Sequence, residues 1–322
     1  YERSAMYHSQ ILSDLLDLRE VAEQRGLRLH WLEDAIDRMG RFLVGITQPD
    51  GEIPLFNDAV IGQAPTPGDL LRRTQAKAPS GPVFDAADYG LTVVRGVPGE
   101  ALTFDTGPLG PAHQPGHAHS DTLSFELTVG GARAVVNAGM DGYQSPRRPF
   151  FRSAAAHNTV RVDGVGPDEL WSSFRVGGRS TPLRRAVRHE AEAFILEGSL
   201  RAFSGWRHAR KLVYLPGRAL LVMDFVQAAQ PVEVIARLGL VGSAVSVVPL
   251  VGLRWEGVGV YSPRFNQVSE LSQAGVMGTG SAVQLAMLLL WGEGSRVLPE
   301  AEKAGIRLSS SGYENLYAWP RP

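Results

Sequence analysis

Four of the eight histidines fall between residues 113 and 157: His113, His117, His119 and His157. Imidazole is the side chain whose proton moves near neutral pH, so such a cluster suits acid–base chemistry or metal ligation. His117 and His119 lie in GHAHSDTLSFEL (116–127). On an extended chain, side chains two residues apart point the same way, so the pair is expected to share a side. His157 opens AHNTVRVDG at another strand start, followed by Asn158. Asn137 ends a strand in VVNAG, on the face of Arg133 and Val135, where it suits either a polar pocket or a turn before glycine. Tyr7 follows ERSAM in the first turn of a helix. Its phenol is either a core aromatic or a proton donor at a cleft rim.

A catalytic metal needs three protein ligands and an open position. His119 and His157 supply two; the same pattern equally describes hydrogen-bonded loop histidines. Other chemistries find less support. No G-x-S-x-G elbow is present, and no Walker loop or G-x-G-x-x-G follows a strand into a helix. The absence of cysteine removes disulfides, thiolate zinc sites and thiol nucleophiles. Hydrolysis by two carboxylates stays open, because acid pairs leave no spacing signature.

The elements that position these groups change character along the chain. Tyr7, Ile11, Leu15, Leu18 and Ala22, widened by Leu12 and Leu16, keep the period of an amphipathic helix. Ser4 can cap its start and Gly26 fits just past its end. Trp31, Leu32, Ala35, Ile36, Met39, Phe42, Leu43 and Ile46 mark a second helix, stopped at Pro49-Asp50-Gly51. An antiparallel helix pair at residues 1–50 is the expectation. Residues 51–90, rich in Pro, Gly and Asp, read as a connector with one short helix near 69–77. From 91 to 322 the texture is period two. Leu123, Phe125, Leu127 and Val129 alternate with Ser124, Glu126 and Thr128, as in a half-buried strand. Further strands are expected at 91–95, 101–106, 133–137, 159–162, 194–200, 211–215, 219–226, 232–240 and 283–291, with a hairpin turn at Pro216-Gly217. The fold class is α+β multidomain: helices first, then an antiparallel β-sandwich.

The bulk properties bound the partners. Lys+Arg of 32 against Asp+Glu of 33 leave a net charge of −1, so no basic field exists to hold nucleic acid. No apolar run is long enough to span a bilayer as a helix. Lysine stands only at 77, 211 and 303, so nearly all cations are arginines. Guanidinium forks bind carboxylate and sulfate in bidentate fashion, which would suit an acidic glycan, though a compositional bias is the plainer account. The first residue is Tyr1, with no initiator Met and no leader pattern, which reads as a fragment or processed form. The compartment expected is periplasmic or secreted, with the cytoplasm as alternative.

Several segments in order resemble the heparinase II/III-like family of polysaccharide lyases: YERSAMYH (1–8), GHAHSDTLSFELTVGG (116–131), VVNAG (135–139) and FRSAAAHNTVRVDG (151–164). WRHARKL (206–212) and YSPRFNQ (261–267) are weaker, later matches. The resemblance implies the end of an incomplete (α/α) toroid followed by the sandwich, and cleavage of uronic-acid polysaccharides such as heparan sulfate or alginate by β-elimination. It implies that Tyr7 and His117 transfer protons. Arg152 and Asn158 are expected to contact the substrate's anionic groups and hydroxyls. By the same resemblance His119 and His157 match ligands of a zinc ion found in several members. Asn137 stands where the family's third ligand is Asp. A neutral amide is a poorer ligand, so a hydrogen-bonded His119–Asn137–His157 cluster bracing the cleft wall is expected in place of zinc. The resemblance also places the group that neutralises the uronate carboxylate in toroid helices preceding this pair, so little catalysis is expected from these residues alone. The rival to the lyase reading is a non-catalytic carbohydrate-binding or surface-polysaccharide assembly protein on the same scaffold. Oligomeric state is not readable.

Overall fold

The computed structural model describes residues 2–310 and 312–322, apart from the side chains at 293 and 295. Helices α1 (Ala5–Gln24) and α2 (His30–Ile46) form the expected pair, followed by a short α3 (Pro67–Arg72). Then come β1 (Val83–Ala86), β2 (Leu91–Val94), β3 (Ala101–Asp105), β4 (Phe125–Val129) and β5 (Ala132–Val135). After α4 (Arg148–Arg152) follow β6 (Val160–Val162), β7 (Leu170–Trp171), β8 (Arg175–Val176), β9 (Thr181–Glu190), β10 (Ala193–Arg201) and β11 (Arg207–Leu215). The remainder is β12 (Ala219–Leu240), β13 (Ser246–Val251), β14 (Leu253–Arg264), β15 (Gln267–Leu290), β16 (Leu298–Glu302), β17 (Gly305–Ser310) and β18 (Tyr313–Ala318).

Every strand pair is antiparallel. The main sheet runs β1-β2-β3-β4-β5-β12-β11-β10-β9, with β15 beside β12. It folds over on itself. A Cβ on Gly198 of β10 would strike Leu123, Thr106 and Phe104, so strands far apart along the hydrogen-bonded path face each other. Between these layers lies the main core, with Phe104, Phe125, Leu127, Leu196, Leu212, Val222 and Met287. The hinge is β12: its first half pairs with β11 and its second with β5 and β6, the register shifting between Gln227 and Val232. The outer face of β10–β13 and β15 is covered by the small sheet β16-β17-β18, which the hydropathy pattern does not announce.

In α2 Leu32, Ile36, Leu43 and Ile46 are buried as expected, whereas α1 departs from its expected face. In α1 the buried seam is Ala5, Ser9, Leu12 and Leu16, while Ile11 and Leu18 are 52% and 41% exposed. Ser4 Oγ does accept from Tyr7 N at 3.3 Å, and Gly26 takes φ +68° past the helix end. The α1/α2 core continues into the connector through Ile53, Phe56, Ala59 and Val60. Residues 53–61 are therefore a packed segment rather than a solvated link. Ser124, Glu126 and Thr128, expected to face water, are buried too. Glu126 accepts from Leu55 N and Asn137 N, and Gln48 takes the Thr128 hydroxyl hydrogen bond. Among the described residues no helix is long and apolar enough to cross a membrane.

Candidate active site

The site is assembled by a clamp that the connector supplies. Asn57 and Asp58 interrupt the apolar run 53–61, and both are buried. On one side Asn57 Nδ2 donates to Arg3 O, and Asp58 O accepts from Ser4 Oγ at 2.8 Å, which pins the start of α1. On the other side Asp58 N donates to His117 O, and Asn57 Oδ1 accepts from His119 N at 3.0 Å. Arg3 adds an ion pair to Asp105 at the end of β3 (2.9 Å), its guanidinium lying over the Tyr89 ring. Helix and sheet layer are thus fixed to the same two residues.

Their side chains meet as a consequence. The rings of Tyr7 and His117 stack with centroids 4.6 Å apart and planes 20° apart. The Tyr7 hydroxyl is hydrogen-bonded to that of Tyr143, and Phe174 packs against both His117 and Tyr143. His117 Nδ1 lies 2.5 Å from Glu2 Oε2. Tyr7 and His117 are only half-buried, so the arrangement opens to solvent. Burial pushes the Tyr7 phenol up, partly offset by the Tyr143 hydrogen bond and reinforced by Asp58 and Glu2. Tyr143 is pushed up as well, by burial and by its bond to Tyr7.

Beneath the aromatic rings lies a charged layer. Arg148, fully buried, grips Asp58 through both terminal nitrogens, with Nη2–Oδ2 at 2.6 Å. Its guanidinium carbon sits 5.4 Å from the Tyr143 ring centroid and 5.5 Å from that of Phe174. His119 Nε2 donates to Asp58 Oδ1 at 2.7 Å. Burial would raise the Asp58 carboxyl, but His119 and Arg148 hold it below the ordinary range. Burial pushes His119 down to about 4 against the pull of Asp58. It also pushes His157 well below its usual value, with His119 and Arg237 adding repulsion. Both imidazoles are therefore neutral at pH 7.

His117 and His119 have different roles, one stacked in the open site and the other buried in its wall. The expected His119–Asn137–His157 cluster forms only in part. The rings of His119 and His157 lie 5.3 Å apart, and Asn137 is buried with them. Yet the three are not hydrogen-bonded to one another. Asn137 Oδ1 accepts from Ser124 Oγ, His157 Nε2 donates to Phe151 O, and both Nδ1 atoms and Asn137 Nδ2 are buried without partners. These residues do not fit a resident zinc ion. Neutral imidazole is the ligating form, but the third position is an amide already engaged through its oxygen, His119 Nε2 is committed to Asp58, and Arg148, Arg152 and Arg237 bring positive charge to the histidines. No group of three or more His, Cys, Asp or Glu suited to a metal occurs among the described residues.

Arg152 and Asn158 do not reach a substrate surface. Arg152 is fully buried and donates to the carbonyls of Ala118, Trp171, Ser172 and Arg175, tying α4 to the loops around it. Asn158 bridges strands, donating to Phe125 O and accepting from Gly239 N, both at 2.7 Å. The residues that sequence reasoning missed are Glu2, Asp58, Tyr143, Arg148 and Phe174. Asp58 had a readable signal, an Asn-Asp pair inside IPLFNDAVIG, where a carboxylate among apolar residues demands a partner. Glu2, Tyr143 and Phe174 lie in irregular segments and Arg148 opens the five-residue α4, all too short to carry a periodicity.

A profile of the family described as heparinase II/III-like, C-terminal, matches residues 78–309. No curated protein sequence matches the chain. Solved structures do. A heparinase III gene product superposes with TM-score 0.77 at 15% identity, over 100% of this chain and 58% of its own length. The heparan sulfate lyase HepC from Pedobacter heparinus gives 0.77 at 15% identity, over 99% of this chain and 58% of its own. Another heparinase III gives 0.76 at 13% identity, over 99% and 60%. These likenesses show the fold, and the chain spans less than two thirds of each of those proteins.

Proposed function

The chain belongs to the heparinase II/III-like family, and from that premise we propose that it is a polysaccharide lyase cleaving uronic-acid glycans by β-elimination. The observation that carries this reading is the stacked Tyr7–His117 pair, a phenol and an imidazole from different layers at one half-open site. Elimination needs a base for the C5 proton of the uronate and an acid for the leaving oxygen at C4. Glu2, accepting from His117 Nδ1–H, leaves the Nε2 lone pair free to act as base. Tyr7, kept protonated by burial, is the acid. As His117 takes the C5 proton, the electron pair forms the C4–C5 double bond. The C4–O bond breaks, and Tyr7 protonates the departing oxygen. Tyr143 orients the Tyr7 hydroxyl.

A cavity of about 620 Å³, lined by Tyr143, Gln144, Arg147, Phe265 and Asn266, adjoins this pair and supports binding of the glycan there. Arg147, exposed on that wall with a 3.5 Å contact to Asp141, is the cation offered to the uronate carboxylate. We assign α1 and α2 to the end of an (α/α) toroid, a reading supported by the apolar face that Ile11, Leu18, Val21 and Trp31 leave exposed.

The test is incubation with heparan sulfate, hyaluronan, alginate and glucuronan, following the ultraviolet band of an unsaturated uronate. The band should grow with the wild type and vanish with Tyr7→Phe. New reducing ends without the band would replace elimination with hydrolysis, and binding with neither signal would favour a non-catalytic role.

A further inference from the structure

Behind the wall formed by His119 and His157 lies a separate cavity of about 400 Å³, lined among others by Ser120, Ala154, Arg161, Pro167 and Phe203. Its lining carries one arginine, Arg161, and two carboxylates, Asp168 and Glu169. Arg161 lies on β6 opposite Ile235 of β12, which puts Arg237, two residues on, diagonally beside it on the same sheet face. Arg237 is only 4% exposed. Among the described residues its guanidinium makes one hydrogen bond, a long contact from Nη2 to Ala154 O at 3.4 Å, and the Nε atoms of both arginines are buried without partners. Among the described residues neither guanidinium has a carboxylate partner, whereas buried cations are ordinarily paired. Burial first, and the Arg161 charge second, push Arg237 down to about 9. The carboxylates on the cavity wall are committed elsewhere: Asp168 accepts from Ser120 Oγ and Ser180 N, and Glu169 from Gly178 N. Phe203, 56% exposed, offers an apolar platform beside the arginines.

We propose that this cavity is a second, non-catalytic subsite, in which Arg161, backed by Arg237, receives the carboxylate or sulfate of an acidic sugar whose ring lies against Phe203. The sugar identity rests on the lyase reading; the oxyanion site does not. Guanidinium forks match both oxyanions, and a volume of this size lies at the low end of ligand pockets.

The experiment compares thermal unfolding of the full chain in sulfate, glucuronate and chloride at equal ionic strength, for wild type, Arg161→Gln and Arg161→Lys. Sulfate and glucuronate should each raise the wild-type Tm above its chloride value. Arg161→Gln should start higher than wild type in chloride, because repulsion is relieved, and should bind either anion about tenfold more weakly or worse. Arg161→Lys, keeping the charge without the fork, should respond in between, and carries the test if the glutamine variant does not fold. Equal responses in all three proteins would overturn the site, and a response to sulfate but not glucuronate would overturn the sugar. Since the readout is binding, failure of elimination in the wild type would sink the lyase reading while leaving this result standing.

Discussion

Replacing Asp58 by Asn removes the charge on which the wall of the site is built. Asp58 and Arg148 are both fully buried, and the aspartate also takes the His119 hydrogen bond. An amide of the same size keeps one acceptor but leaves Arg148 as an uncompensated buried cation. Breaking a buried pair in this way costs about 3–5 kcal/mol. For a protein of this size each kcal/mol moves Tm by about 2 °C, so a fall of about 6–10 °C is expected by calorimetry. The double variant Asp58→Asn/Arg148→Met should recover most of that loss, since removing both charges leaves nothing unpaired. Elimination should drop in both variants, because Arg148 no longer supports Tyr143 and Phe174 from below. A single variant within about 1 kcal/mol of wild type, or a double variant no more stable than the single, would show that the ion pair does not carry the wall.

The buried histidines set the pH dependence. His119 and His8 are pushed down to about 4 by burial, and His157 and His208 are lowered too, so folding favours their neutral forms. Their contribution is complete above the unfolded value near 6.5 and is lost as pH falls through the folded values, because the unfolded chain then binds more protons. Asp58, held low, loses its contribution only below about pH 4. The carboxyls of Asp105, Asp121, Glu126 and Asp168, pushed up by burial, take up protons in the folded state as pH falls and offset part of this loss, so the check is the Tm gap between wild type and His119→Gln, which should narrow from about pH 6.5 to about pH 4.5; a constant gap would contradict the neutral assignment. Asn137→Asp supplies the anionic donor that the His119–His157 wall lacks: this variant should gain a zinc-dependent rise in Tm, whereas wild-type protein carrying stoichiometric zinc would contradict the metal-free assignment. Glu2→Ala should lower kcat more than KM, because it removes the acceptor that fixes the His117 tautomer; an unchanged kcat would remove Glu2 from the site.

Much of the local structure follows from the order of residue types alone. Period-3.6 and period-2 patterns locate both helices, the Ser4 cap and strands β2 to β6, because they record which neighbours share a face. They cannot say what covers that face. Glu126 and Thr128 look like solvent-facing residues of β4 until Leu55 N and Gln48 meet them, and the α1 seam shifts from Ile11 and Leu18 to Ser9, Leu12 and Leu16 once α2 and residues 53–60 choose a side. Arg152 and Asn158 were plausible ligand contacts only while their backbone partners were unknown.

The sequence by itself offered the candidate groups, a phenol in the opening helix and an imidazole in GHAHSD, and the change from helix to antiparallel sheet between them. Tertiary structure alone decided that they stack, that Glu2 and Tyr143 orient them, and that His119 serves the wall through Asp58 and Arg148. Periodicity is a property of neighbours in the chain. Hydrogen-bond and charge partners are chosen across long loops, wherever folding leaves a buried polar group to be satisfied.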